Sequence, residues 1–359
     1  MRVLVLPFDI ASKGAATVDA LNKLKGIEAK GLFVNPNNKV TKSKNAVYFK
    51  VCYFKKSPFL WIYIYFKKVA TFIRLIFWAD VIHWIWDSAF AGQLDLRYAA
   101  MLGKPGVIEW SGSDIRYPEK AEEINPFMRG IYSRGYEYAH IESKAASDKV
   151  QQRFARMGYF PLTTPEMNLY VRKDLFPKTY ITLHRLNLAD FPRQTATTNT
   201  RPVVVHAPTQ RIAKGSSYIL EAVEELKKEL DFDFVLLENM PREKALQQVK
   251  QCDIFIDQLI LGSYGLASCE AMAFGKPVLC YVMPAVYNNG LPSDCPVVNT
   301  TPETIKERLR ELLLSESRRK ELGALGRAFA ENRLDADKAA TRYAEMYREV
   351  IAFKKSKTK

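Results

Sequence analysis

A glycine-bounded bend leading into a helix that carries one acid is the part of this chain best equipped for chemistry. It lies in DQLILGSYGLASCEAMAFGKPVLCYV, residues 257 to 282. The apolar run CDIFID predicts a buried parallel strand, GSYG a tight turn, LASCEAMAF a helix that Gly275 stops, and PVLCYV a new strand. Such a turn leaves the amides of Ser263, Tyr264, Gly265 and Leu266 unpaired at a helix N-terminus. There the positive end of the helix dipole favours a phosphate or diphosphate. Glu270 follows about one turn further in, close enough to take two hydroxyls of a ribose behind that diphosphate.

The scaffold around this turn is large. With 359 residues, 48% hydrophobic and 26% charged, the chain can bury a substantial core and is expected to form two domains. Lys and Arg outnumber Asp and Glu by 53 to 39, a net charge of +14 that calls for an anionic partner. Cysteines at 52, 252, 269, 280 and 295 form no C-x-x-C pair and lie mostly in apolar runs, as reduced core residues in a reducing compartment do. The opening MRVLVLPFDI lacks a basic n-region, so no signal peptide is expected and the protein is placed in the cytoplasm.

The pattern G-x-Y-G-x-x-x-x-E-A-M-A-x-G-K-P-V, Gly262 to Val278, resembles the donor-site signature of GT-B retaining glycosyltransferases of family 4, the "glycosyl transferases group 1" class. In that family a first glutamate holds hydroxyls of the donor sugar, and a second, after seven intervening residues, holds the nucleotide ribose. Glu270 matches the second, while Gly262 stands at the first. The ribose half is thus intact and the sugar half altered, with Asp257 or Ser263 as candidates to take over. The loop TQRIAKGSS resembles the family's donor-phosphate loop, which assigns Arg211 and Lys214 to the leaving diphosphate and puts His206 and Ser216 beside them. Cleaving a sugar-phosphate bond builds negative charge on the diphosphate, and fixed cations stabilise it. Glu238 and Asn239, at the end of the strand DFDFVLL, are placed to line a nucleobase pocket. With two cations available, no metal and no further cofactor are expected, and Asp231-Phe232-Asp233 reads as a turn ahead of its strand.

The first domain opens with strand RVLVLPF, loop DIASKG and helix AATVDALNKLKG. Gly14 either lets the backbone approach a ligand, as the glycine loop of the resembling enzymes does, or serves an ordinary turn. ADVIHWIW predicts a buried strand with His83 as a core histidine. The turn and strand from Gly103 to Trp110 lead into SGSDIR, at the strand end where open α/β sheets place ligands. The family often has His-Gly-Ser-Asp here, and Ser111 replaces the histidine. Ser113, Asp114 and Arg116 are candidates to contact donor or acceptor sugar, the alternative for Asp114 being a cap on the next turn.

From Lys30 to Ala79 there is no acid, while lysines such as Lys39, Lys55, Lys56, Lys67 and Lys68 alternate with aromatics such as Tyr53, Phe54, Phe59, Tyr63, Phe66 and Phe77. Ser57-Pro58 predicts a helix start. Lys67 and Lys68 fall mid-span, where each costs about 3 kcal/mol in a bilayer, so the helix is not expected to cross one. Lys67, Thr71 and Arg74 share one face, which suits a helix lying in anionic headgroups as well as one packed on its own sheet. Nucleic acid is not an expected partner, because no RNA or DNA motif accompanies the segment.

The resulting expectation is two Rossmann-like domains facing a cleft. Residues 1–192 form the acceptor domain, 193–202 the linker, 203–335 the donor domain, and 336–359 a helix returning to the first domain with a basic tail. The resemblance implies transfer of a hexosyl group from a nucleoside diphosphate sugar, with retention; because the acid-free aromatic region lies in the acceptor domain, a glycan or lipid-linked acceptor at the inner face of the cell membrane is expected. Two alternatives stay open, a sugar-nucleotide epimerase and a non-catalytic nucleotide-sugar-binding protein.

Overall fold

The computed structural model describes residues 1–34, 42–50, 57–193, 199 and 201–357. Lys39, Cys52, Tyr53, Phe54, Lys55, Lys56 and most of the expected linker lie outside the described residues. Among the described residues, β1 (Arg2–Pro7), β2 (Glu28–Val34), β3 (Ala46–Phe49), β4 (Val81–Ile85), β5 (Gly106–Trp110), β6 (Phe160–Thr163) and β7 (Tyr180–Ile181) form one sheet. Its order is β3-β2-β1-β4-β5-β6-β7, and every pairing is parallel. A second parallel sheet, β12-β11-β10-β8-β9, holds β8 (Val203–His206), β9 (Asp233–Leu236), β10 (Ile254–Ile256), β11 (Val278–Cys280) and β12 (Val298–Asn299).

Parallel strands need helical crossovers that cover both faces, so central strands read as unbroken apolar runs. β4 and β5 are buried at every position. Each sheet reverses its winding direction once, between β1 and β4 in the first and between β8 and β10 in the second. Ligand crevices form at such switch points, outside the carboxyl ends of the strands. The loops after β1, β8 and β10 are those holding Gly14, Lys214 and the GSYG turn.

The final helix, Ala336–Ser356, returns to the first sheet. Its Tyr343, Met346, Tyr347 and Val350 pack into one core with Val3, Val5, Val18 and Val107. His83 is the core histidine expected, fully buried, with Nδ1 2.7 Å from the Tyr347 hydroxyl and Nε2 3.1 Å from Glu109. The helix Pro58–Trp78 starts at the proline as expected and buries Phe72, Leu75 and Ile76. Between Arg129 and Met157 helical patterning dominates the sequence, yet among the described residues an α-helix forms only over Lys144–Arg156, with a single 3-10 turn at Tyr132–Arg134 before it. Gly130 and Gly135 sit at φ +66° and +86°, and these left-handed positions keep the earlier part in short turns.

Candidate active site

The turn after β10 is built around Asp257. This buried carboxylate accepts the Gly265 amide at 2.9 Å and the Ser268 hydroxyl at 2.5 Å, and the Lys214 ammonium closes on its other oxygen. Burial alone would raise its pKa, but Lys214, Ser268 and Gly265 together hold it below the usual range. Gly265 is the N-cap of the helix Leu266–Ala273, so one of the amides expected to be free is already taken. Gly262 has φ +81°, and a Cβ there would lie 2.6 Å from Met283 and 2.9 Å from Asn125. No acid fits at that position without displacing both neighbours. Ser263 and Tyr264 are buried, and the Tyr264 ring packs 5.7 Å from that of His184.

Glu270 is 8% exposed and pairs with Arg242. Burial raises its pKa to about 7 against the pull of that arginine. Beside it lies a cleft of about 450 Å³ walled by Glu238, Asn239, Arg242, Leu266 and Glu270, with Ala11 contributed by the first domain. Arg211 forks onto Glu238, with Nε 2.7 Å from one carboxylate oxygen. The candidate phosphate cation and the candidate base-pocket acid therefore hold each other. Lys214 does not line this cleft, because its ammonium is turned onto Asp257 at the start of the same helix. His206 bridges the Ile256 carbonyl and the Ser216 hydroxyl, both at 2.9 Å, and burial lowers its pKa to about 4, so the pair staples the loop after β8. Asp231 and Asp233 lie beside Arg201 at the start of β9.

On the loop after β5, Asp114 accepts the amides of Ser111, Gly112 and Ile115 at 2.9, 2.8 and 3.1 Å. These bonds shape the loop that carries it, and burial lifts its pKa to about 6. Arg116 is buried and bound to Glu166 at 2.8 Å, Glu142 at 3.3 Å and the Tyr136 hydroxyl at 3.2 Å, which turns it into the domain core. Ser113 is half-buried on the same loop. Gly14 donates its amide to Asp9 at 2.8 Å, and a Cβ there would meet the Phe33 ring at 2.6 Å, so the glycine serves close helix packing.

Sequence reasoning missed Arg242, because a cation on a helix of mixed charge gives no sign of which acid it will meet. It also missed Asp257 as the anchor of Lys214, although an acid ending a buried strand was visible.

No family model matches the chain, and no curated protein matches it in sequence. Solved structures do match it. Sucrose-phosphate synthase from Thermosynechococcus elongatus superposes with a TM-score of 0.62 at 13% identity, over 98% of this chain and 99% of that one. A glycosyltransferase from Rickettsia africae gives 0.57 at 13% identity, over 98% of each. HepE from Anabaena, solved in complex with UDP, gives 0.51 at 15% identity, over 97% of this chain and all of that one. At such identities the likeness is one of fold, and the fold is that of the GT-B glycosyltransferases, two Rossmann-like sheets facing a cleft.

Proposed function

We propose that the chain transfers a hexosyl group from a nucleoside diphosphate sugar to a membrane-associated glycan acceptor, with retention of configuration, at the cytoplasmic face of a membrane. The observation that carries this reading is the buried Glu270 carboxylate on the wall of a cleft, one turn inside a helix whose N-terminus faces the sheet switch points. A ribose on that carboxylate directs its diphosphate toward the helix N-terminus. Asp257 holds Lys214 there before substrate arrives, and Glu238 holds Arg211. Preorganised charge of this kind stabilises a developing diphosphate leaving group without reorganisation. The UDP found in HepE supports a nucleotide as ligand of this fold.

Incubation with a panel of UDP and GDP sugars and lipid-linked saccharides tests the reading. Release of nucleoside diphosphate with a product of unchanged anomeric configuration is the expected outcome, and an inverted product overturns retention. The second reading, a non-catalytic nucleotide-sugar-binding protein, draws on Gly262, where the packing of Met283 leaves no room for an acid on the sugar side. It predicts a raised Tm with nucleotide and no turnover of any donor.

A further inference from the structure

The short helix Arg211–Lys214 carries both cations assigned to the diphosphate, yet it is not capped by its own stretch of chain. Gln210 precedes it in an extended conformation, and the Gln210 side chain makes no capping hydrogen bond. The first amides of a helix have no partner within it and must be satisfied from outside. Here the partner is Glu137, whose two carboxylate oxygens accept the Ile212 amide at 3.0 Å and the Ala213 amide at 3.2 Å. Glu137 lies between β5 and β6 of the first sheet, whereas the helix follows β8 of the second, so the cap passes from one half of the molecule to the other.

Both ends of this bridge are anchored. Tyr136, the neighbour of Glu137, is buried, and its hydroxyl accepts from Arg116 at 3.2 Å and donates to Glu142 at 3.2 Å. Ala213 is buried in the same apolar cluster as Met128, Ile131 and Tyr136, and the Ile212 side chain lies 3.6 Å from where a Cβ on Gly135 would stand. At its far end the helix is tied to the turn after β10. The Leu259 amide donates to the Lys214 carbonyl at 3.1 Å, and the Lys214 ammonium closes on Asp257. A single helical turn has too few internal bonds to hold its own shape, so its position follows whatever grips its ends. Parting the two halves would withdraw the carboxylate from both amides.

We infer that Glu137 is a positioning residue for the diphosphate site: by capping the helix Arg211–Lys214 from the other half of the molecule, it makes the placement of Arg211 and Lys214 depend on the two halves being closed together. The inference rests on the glycosyl-transfer reading and adds to it the group that sets the cations in place. Glu137 does not line the cleft beside Glu270, so contacts to ribose and base are independent of it.

Wild type, Glu137→Ala and Glu137→Gln are compared by amide hydrogen exchange without ligand and by calorimetric titration with UDP, GDP, uridine and guanosine. In Glu137→Ala, exchange over residues 211–214 is expected to quicken about fivefold or more, as loss of a helix cap requires. Affinity for a nucleoside diphosphate is expected to fall about fivefold or more, with nucleoside affinity within about twofold of wild type. Glu137→Gln keeps one acceptor oxygen and is expected to fall between the two. Unchanged exchange overturns the inference. So does faster exchange with diphosphate affinity within about twofold of wild type, which would make the contact a structural staple alone. Tighter diphosphate binding in Glu137→Ala also overturns it, because Glu137 would then be competing with the ligand's phosphates. Should Glu137→Ala fail to fold, Glu137→Gln is read in the same way. Wild-type protein that binds no nucleoside diphosphate sinks the glycosyl-transfer reading itself, a result distinct from unchanged exchange, which needs no ligand, and from a variant that binds as wild type does.

Discussion

A carboxylate 8% exposed with a single arginine beside it titrates near neutrality, and Glu270 does so at about 7 instead of 4.5. Between those two values the folded chain keeps a proton that the unfolded chain has released. Stability therefore falls as pH rises through that window, and the loss is complete above it. Glu270→Gln is expected to flatten this part of the Tm profile between pH 5 and 8, and a profile parallel to wild type would contradict the assigned titration. Nucleotide affinity should move the opposite way, rising with pH, because ribose hydroxyls need the ionised carboxylate as acceptor. At this scale the sequence was most informative where the candidate site is local. Glu270 follows its own turn by a few residues, so spacing alone places it, while Arg242 meets it from another helix and leaves no such trace. Asp114 and Arg116 lie on a loop that reads as functional, but burial delivers amides to one and two acids with a tyrosine to the other. Those partners come from tertiary packing, which spacing does not encode.

Among elements, the turn after β10 depends on Gly262. Its φ of +81° and the Met283 side chain 2.6 Å from a hypothetical Cβ make Gly262→Ala costly by about 1–3 kcal/mol, measurable by chemical denaturation. An unchanged midpoint would show that the turn relaxes freely. The helix Pro58–Trp78 raises a different question. Phe59, Tyr63, Phe66 and Phe77 are exposed at helical spacing, opposite the buried Phe72, Leu75 and Ile76, with Lys67 and Arg74 beside them. Among the described residues no helix is long and apolar enough to cross a membrane. An exposed aromatic stripe flanked by cations suits the headgroup layer of an anionic bilayer. Sedimentation with anionic liposomes is expected to capture the wild type and to lose most of the paired variant Phe66→Ser, Lys67→Glu; equal capture of both would locate any membrane contact elsewhere. The start of this helix was legible because Pro58 marks it. The turns between Arg129 and Ser143 were not, because apolar spacing there mimics a helix that two left-handed glycines forbid.

At the scale of the molecule, the final helix joins the chain's end to its first sheet. Arg185, between the sheets in sequence, binds Glu109 of β5, Thr17 of the first helix at 2.6 Å and Tyr343 of the last at 3.0 Å. Burial alone would raise the Glu109 pKa, and Arg185 with His83 reverses this. Arg185→Met strands a buried carboxylate and is expected to cost about 3–5 kcal/mol, read as a shifted denaturation midpoint. A change of under about 1 kcal/mol would mean that the network contributes little. The strand and helix sequence implied two parallel sheets, and both are present. What ties them together, such as Asn125 donating to the Ile260 carbonyl at 2.7 Å and Glu137 accepting the Ile212 amide at 3.0 Å, arises from side chains far apart in sequence. The central claim is that this cleft binds a nucleoside diphosphate through Glu270 and the turn before it. Calorimetric titration of UDP and GDP into wild type and Glu270→Ala tests that most directly. The account predicts saturable binding of at least one of them to wild type, weakened about tenfold or more by the substitution; no binding of either, or equal binding to both proteins, would contradict it.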